Sequence, residues 1–258
     1  VMGEALVSGL LRAGWSADDI VAADRRDFRR AEMTAAHGIR ALGNAEAAAE
    51  ADTVVLVVKP QDVGAVLPEI SPVLRPGTLL VSLCAGVTTK ALESHLPAGT
   101  AVVRVMLNTP ALVSEGMAAV SAGSNASESD VEHAMQLMTA LGKAITVPEN
   151  YQDAVTAISG SGPAYLFFVV EAMIDAGVML GLPRDIATTL VNQTMFGSAK
   201  LLIESGQHPT VLREQVTSPG GTTAAALRQL EDHRVKAAFI TAMEAARDRS
   251  RALAQPSS

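Results

Sequence analysis

Thr53-Val54-Val55-Leu56-Val57-Val58, followed at once by Lys59-Pro60-Gln61, decides the fold. Six β-branched or apolar residues without polar alternation read as a strand of a parallel sheet, covered on both faces, and Pro60 ends it. Working outward, 20–24, 79–84, 101–106, 116–122 and 144–147 carry the same kind of run. Helical patterns lie between them: 4–13 ended by Gly14, 25–37 stopped by Gly38, a helix opening at Asn44, and 129–141 capped by Ser127 with Asp130 three residues on. Strands alternating with helices predict a doubly wound α/β sheet.

From Tyr151 the strand signals stop. Residues 164–179 are apolar nearly all round, which predicts a helix buried between subunits and ended by Gly181-Leu182-Pro183. Helices over 188–204 and 235–253 follow, and 255–258 should fray. The expected organisation is a Rossmann-like dinucleotide-binding domain over 1–150 and an all-helical substrate and dimerisation domain over 151–258.

A doubly wound sheet binds ligands beyond the carboxyl ends of its strands. Those ends are Asp24, Lys59-Pro60, Cys84-Ala85-Gly86 and Met106-Leu107-Asn108. Of a G-x-G-x-x-G turn only the last glycine, Gly3, is present, so a first strand and two glycines are expected to precede Val1. Asp24 falls about 20 residues after that turn, where an acid meets the adenosine ribose. Such an acid favours a free 2′-hydroxyl and NADH, whereas Arg25 and Arg26 just after it suit a 2′-phosphate and NADPH.

The second chemical stretch is Thr217-Ser218-Pro219-Gly220-Gly221-Thr222-Thr223. Pro219 and the two glycines break a helix, and Thr222 or Thr223 is expected to cap the next one. The first amides of that helix, with the Ser218, Thr222 and Thr223 hydroxyls at the rim, make a receptor for a carboxylate. A third stretch, Ser159-Gly160-Ser161-Gly162-Pro163-Ala164-Tyr165, opens the apolar helix.

The totals exclude several classes. A net charge of -7 without a basic run argues against nucleic acid. One cysteine, Cys84, allows no internal disulfide, fits a reducing compartment and reads as a packed strand-end residue. The five histidines are scattered without zinc spacing, and His208 reads as a loop residue. Met135, Met138, Met173 and Met179 read as core. The longest apolar run, 164–170, stops at Glu171, well short of the ~20 residues of a membrane span. A cytoplasmic protein is expected. The pair Glu171 and Asp175, one turn apart, is expected to be hydrated or arginine-paired.

The stretch 216–231, with Gly160-Ser161-Gly162-Pro163-Ala164-Tyr165, closely resembles the signatures of pyrroline-5-carboxylate reductases. The resemblance reaches Met2-Gly3-Glu4-Ala5 at the glycine-rich turn, Asn44 at an adenosine contact, and Val58-Lys59-Pro60 against the cofactor. It extends to Ala85-Gly86-Val87 near the nicotinamide ribose and to 104–110, around Met106 and Asn108, under the nicotinamide. Leu107 departs from the pattern, which has proline or threonine there more often. It implies reduction of 1-pyrroline-5-carboxylate to L-proline by NADPH in a homodimer or larger oligomer. Thr223 would then hydrogen-bond the ring nitrogen, with Ser218 supporting the loop. Gly220, Gly221 and Thr222 would hold the substrate carboxylate. The rivals are another imine or keto reductase of the same plan, a non-catalytic cofactor-binding regulator, and a helical dimerisation module. No lysine occurs in 163–182, which argues against a hydroxy-acid dehydrogenase.

Overall fold

A computed structural model describes residues 2–254. The expected fraying of 255–258 lies outside them. The chain divides into two compact units. The first holds the residues up to Ser161 and those from Ala246 onward; the second is Gly162–Ala245.

The first unit opens with α1 (Met2–Arg12), then β1 (Val21–Ala23), α2 (Asp27–His37), β2 (Arg40–Leu42), α3 (Asn44–Glu50), β3 (Thr53–Leu56) and α4 (Val63–Ile70). It continues through β4 (Leu79–Ser82), α5 (Thr89–Glu93), β5 (Ala101–Leu107), β6 (Gly116–Ala122), α6 (Glu128–Thr139), β7 (Gly142–Thr146) and α7 (Gln152–Val155). β1 pairs with β2 in one parallel ladder, and the other strands form a sheet in the order β3-β4-β5-β6-β7. Alternate residues serve opposite faces. Leu79 and Val81 of β4 and Val103 and Val105 of β5 join a core with Leu6, Val7 and Leu10 of α1 and Leu137 and Met138 of α6. Leu80 and Val102 join a second core with Val63, Leu67 and Ile70 of α4. Helices on both faces make the doubly wound plan.

Three details differ from the sequence reading. β2 carries too short an apolar signal, three residues beginning with Arg40, to stand out. β6 runs antiparallel to β5, so the sheet is mixed. The connection 108–115 is too short for a parallel crossover, which needs about a dozen residues. In β3 only Leu56 is buried, because the strand lies at the edge of its sheet. The capping of α6 is as read: the Asp130 amide donates to Ser127 Oγ at 3.2 Å, and the Ser127 amide donates to Asp130 Oδ2 at 2.8 Å.

The second unit is helical: α8 (Gly162–Met179), α9 (Arg184–Ser205), α10 (Pro209–Gln215), α11 (Thr222–Asp232) and the start of α12 (Val235–Ala254). α8 and α9 pack at Gly177, where an added methyl would lie 3.0 Å from Ala187 Cβ. No residue of α8 is buried within the chain, and in α9 only Ala187 and Val191 are. The expectation that Met173 and Met179 are core is therefore corrected: they are 42% and 88% exposed, because no described residue covers them. Asp175 has its arginine, with Arg184 Nη1 at 3.0 Å. The estimate of the apolar length is also corrected. The apolar run stops at Glu171 as read, but the helical run Glu149–Met179 contains an 18-residue window of mean hydropathy 1.4, long and apolar enough to cross a membrane by length and composition.

Candidate functional site: a strand-end crevice and a Pro-Gly-Gly loop

The parallel ladders from β3 to β5 bring Val58-Lys59-Pro60, Ala85-Gly86 and Met106 to one end of the sheet. Cys84 holds two of these ends together. Its Sγ lies 3.4 Å from the Val58 carbonyl and 3.7 Å from that of Leu56. Burial pushes its thiol pKa up, so it is a packing and hydrogen-bonding residue and not a nucleophile. Lys59, Pro60 and Ala85 are exposed, while Val58 and Gly86 are half-buried. Asn44 is the first residue of α3, and its Nδ2 donates to Glu69 Oε2 at 3.0 Å.

Met2 and Gly3 lie in the first turn of α1, whose free amides favour an anion. The acid in that turn, Glu4, is answered by Arg29 at 3.0 Å, which holds its carboxyl below the usual range. Asp24 follows β1 directly. Arg26 takes both its oxygens, with Nε 3.0 Å from Oδ1 and Nη2 2.9 Å from Oδ2. The Arg26 guanidinium and amide hold the Asp24 pKa down to about 2. Arg26 also lies 5.4 Å over the Phe28 ring. Arg25 is exposed and makes no hydrogen bond or ion pair among the described residues.

In the loop before α11, Gly220 has φ +69, a left-handed turn that a side chain would strain. Gly221 is the N-cap of α11, which corrects the expectation that Thr222 or Thr223 caps the helix. Both threonines lie one step further, in the first turn. The Ala225 amide makes the first helical bond, to the Gly221 carbonyl at 3.1 Å. The amides of Thr222, Thr223 and Ala224 thus have no helical acceptor. The hydroxyls of Ser218, Thr222 and Thr223 have no partner among the described residues. Three amides and three hydroxyls stand free within seven residues, a donor set suited to a carboxylate and one further polar atom.

Comparison with known proteins identifies the family. Residues 149–253 match the model for pyrroline-5-carboxylate reductase dimerisation, and 1–86 match that of NADP oxidoreductase, coenzyme F420-dependent. A pyrroline-5-carboxylate reductase of Corynebacterium melassecola is 43% identical over 98% of this chain and 95% of its own. The chain belongs to the pyrroline-5-carboxylate reductase family. A relative from Methanosarcina acetivorans is 41% identical over 98% of the chain and 94% of its own. Among solved structures, the pyrroline-5-carboxylate reductase of Coxiella burnetii superposes with TM-score 0.94 at 35% identity, covering 98% of this chain and 95% of that one. That of Plasmodium falciparum, solved with NADP bound, gives 0.88 at 33% identity, covering 98% and 95%. The chain is thus an oxidoreductase of proline biosynthesis. It has a Rossmann-like NADP-binding domain followed by a helical pyrroline-5-carboxylate reductase dimerisation domain.

The family signature at 159–165 takes an unexpected form. The stretch leads into α8 as read, but Ser159 and Gly160 belong to a π-helical turn, Thr156–Gly160, just before it. Several polar residues that hold this part of the reductase fold gave no signal in the sequence. Arg104, 5% exposed on β5, pairs with Glu149 at 3.1 Å. Glu149 also accepts from the Thr89 amide at 2.7 Å and the Thr89 hydroxyl at 2.6 Å. Burial acts to raise the Glu149 pKa, but these donors outweigh it and hold the carboxyl below its usual range. Gln152 is fully buried and donates to Ala119 O at 3.1 Å and Ser121 Oγ at 2.7 Å. His208 is more than a loop residue: its Nδ1 accepts from the Thr210 amide at 3.2 Å and caps α10. Among the described residues no group of His, Cys, Asp and Glu could hold a metal ion.

The Asp24–Arg26 pair yields a titration. A carboxyl whose pKa is lower folded than unfolded stabilises at pH above its unfolded value, here near 3.8, and that contribution is lost as pH falls towards about 2. In a carboxyl-carbon NMR titration, Asp24 should have its midpoint near 2, and Arg26→Ala should return it towards 3.8.

Proposed function

We propose that this chain reduces 1-pyrroline-5-carboxylate to L-proline with NADPH, acting as a homodimer in the cytoplasm. The observation that carries the reading is the stretch 218–224, with three free amides and three hydroxyls without a partner among the described residues. The amides after Gly220 and Gly221 hold the substrate carboxylate at the positive end of α11. Ser218 and Thr222 add hydroxyl donors at the rim. Thr223 keeps its hydroxyl for the ring nitrogen, fixing the plane of the ring. The substrate is a cyclic imine, electrophilic once protonated, so no strong side-chain acid is needed. Orientation is the main contribution of this loop, and it can be worth up to ~10 kcal/mol.

The strand-end residues fit a dinucleotide. Met2 and Gly3 offer amides to a pyrophosphate, Asn44 and Asp24 lie on the adenosine side, and Val58, Lys59, Pro60, Ala85 and Gly86 line the way to Met106 and Asn108 at the nicotinamide. The bound dinucleotide supplies the hydride that reduces the C=N carbon. NADPH is favoured over NADH by the arginines. Asp24 is neutralised by Arg26, which weakens its claim on a ribose hydroxyl, while Arg25 is exposed and unpaired. The cytoplasm fits the single buried, unpaired cysteine. The homodimer rests on the bare apolar face of α8 and α9. Phe167 and Phe168 are 66% and 71% exposed there, beside an open groove of about 620 Å³. A patch of that kind on one chain marks an interface.

Three outcomes test the reading. The protein should oxidise NADPH when given pyrroline-5-carboxylate, and Thr223→Ala should lower kcat on the order of 100-fold without lowering Tm. Unchanged kinetics would remove Thr223 from the mechanism. Arg25→Ala should raise KM for NADPH about tenfold, as loss of one charge-assisted contact does, and leave KM for NADH unchanged. In sedimentation the wild-type protein should run as a dimer or larger, and Phe168→Glu as a monomer, because a carboxylate cannot be buried at an apolar interface unpaired.

A further inference from the structure

The carboxamide of Asn108 spends every polar atom inside the protein. Its Oδ1 accepts from the Met117 amide at 2.8 Å. Its Nδ2 donates to the carbonyl of Ser159 at 3.2 Å and lies 3.3 Å from Ser159 Oγ. One side chain therefore ties three pieces of the first unit: the end of β5, the start of β6, and the π-helical turn. Two residues earlier on β5, the Met106 methyl packs on the same turn. A methyl group added to Gly160 would lie 2.2 Å from Met106 Cε, so an alanine there would displace the flexible end of Met106. Gln152, one turn before the π-helical turn, is pinned to β6 through Ala119 and Ser121. The turn is thereby a fixed support and the Met106–Asn108 segment is what it supports.

From this geometry we infer that Asn108, Ser159 and Gly160 are positioning residues for hydride transfer. They form a clasp that sets the height and tilt of the Met106–Asn108 segment beneath the nicotinamide. The inference rests on the proposed reading, which puts that segment at the nicotinamide. It changes the role of Asn108: both polar atoms of its amide are engaged within the protein, and it acts through the backbone it holds. A shift of the supported segment alters donor–acceptor distance more than affinity, because the remaining cofactor contacts lie elsewhere along the strand ends.

Asn108→Asp is the sharpest probe. It keeps an oxygen for the Met117 amide, removes the donor to Ser159 and sets a carboxylate against the Ser159 carbonyl. Gly160→Ala reaches the same segment from the other side, by pushing Met106. In the cofactor-free protein, the Met106 methyl resonance should move in both variants and the Met117 amide should stay protected from exchange in Asn108→Asp. NADPH affinity, followed by nicotinamide fluorescence, should stay within about threefold, while kcat falls between about 10- and 100-fold. The kinetic isotope effect with NADPH deuterated at C4 should rise as hydride transfer becomes limiting. Ser159→Ala should have a small effect, since the backbone carbonyl still accepts.

An unmoved Met106 resonance with wild-type kcat would overturn the clasp. A cofactor affinity weakened tenfold or more at unchanged kcat would overturn it too, by making Asn108 a ligand. Activity lost only in proportion to folded protein, with an unchanged isotope effect, would reduce the clasp to ordinary stability. A wild-type protein that fails to turn over pyrroline-5-carboxylate would overturn the underlying reading instead.

Discussion

A guanidinium on the inward side of a strand can exist only if something answers its charge, and Arg104 is answered by Glu149. The cost of burying a lone charge is several kcal/mol, and removing one partner of such a pair costs about 3–5 kcal/mol. Glu149 in turn is oriented by the Thr89 amide and hydroxyl, so three segments far apart in the chain share one polar cluster. That cluster fixes where the helical run begins relative to β5. Gln152, Ser159 and Gly160 then repeat the attachment at later turns, each against β5 or β6. The sheet's carboxyl edge is built as much by these helical turns as by the strands.

Most of the architecture was readable because its signals are local. Thr53–Val58 announces a strand through β-branched residues, and Ser127 with Asp130 announces a helix start through two side chains three residues apart. The loop 217–223 stands out because proline and paired glycines have few other uses. What stayed hidden depends on residues that meet only after folding. Arg104 and Glu149 are 45 positions apart, and Asn108 and Ser159 are 51. No periodicity records such pairings. The stretch from Ser159 reads as the opening of the apolar helix, but nothing in its composition marks the π-helical turn before it, where Gly160 serves close packing. The capping error at α11 has a similar source. Threonine is a good N-cap, but Gly221 already holds that position in extended backbone, leaving both hydroxyls free.

The helical half also shows the limit of hydrophobicity as a guide to burial. An all-apolar pattern predicts a helix buried between subunits; the helix forms, yet the described residues of the chain bury no residue of α8. Sequence pattern reports that a surface is unsuited to water. It does not report whether the cover is the same chain, and Met173 and Met179 were assigned to a core that one chain does not make.

The π-helical turn has one more consequence. An α-helix advances about 100° per residue, and a π turn accommodates one residue more than the regular spiral allows. The run Glu149–Met179 therefore carries two angular phases, one before Thr156–Gly160 and another after it. Residues that grip the sheet and residues that present the apolar face need not share a common stripe. Removing a single residue from that turn would leave composition and length nearly untouched. It would still rotate every downstream side chain by more than a quarter of a circle relative to those upstream. Among relatives of this fold, length in this short segment should thus be far less tolerant of change than length in the surface loops.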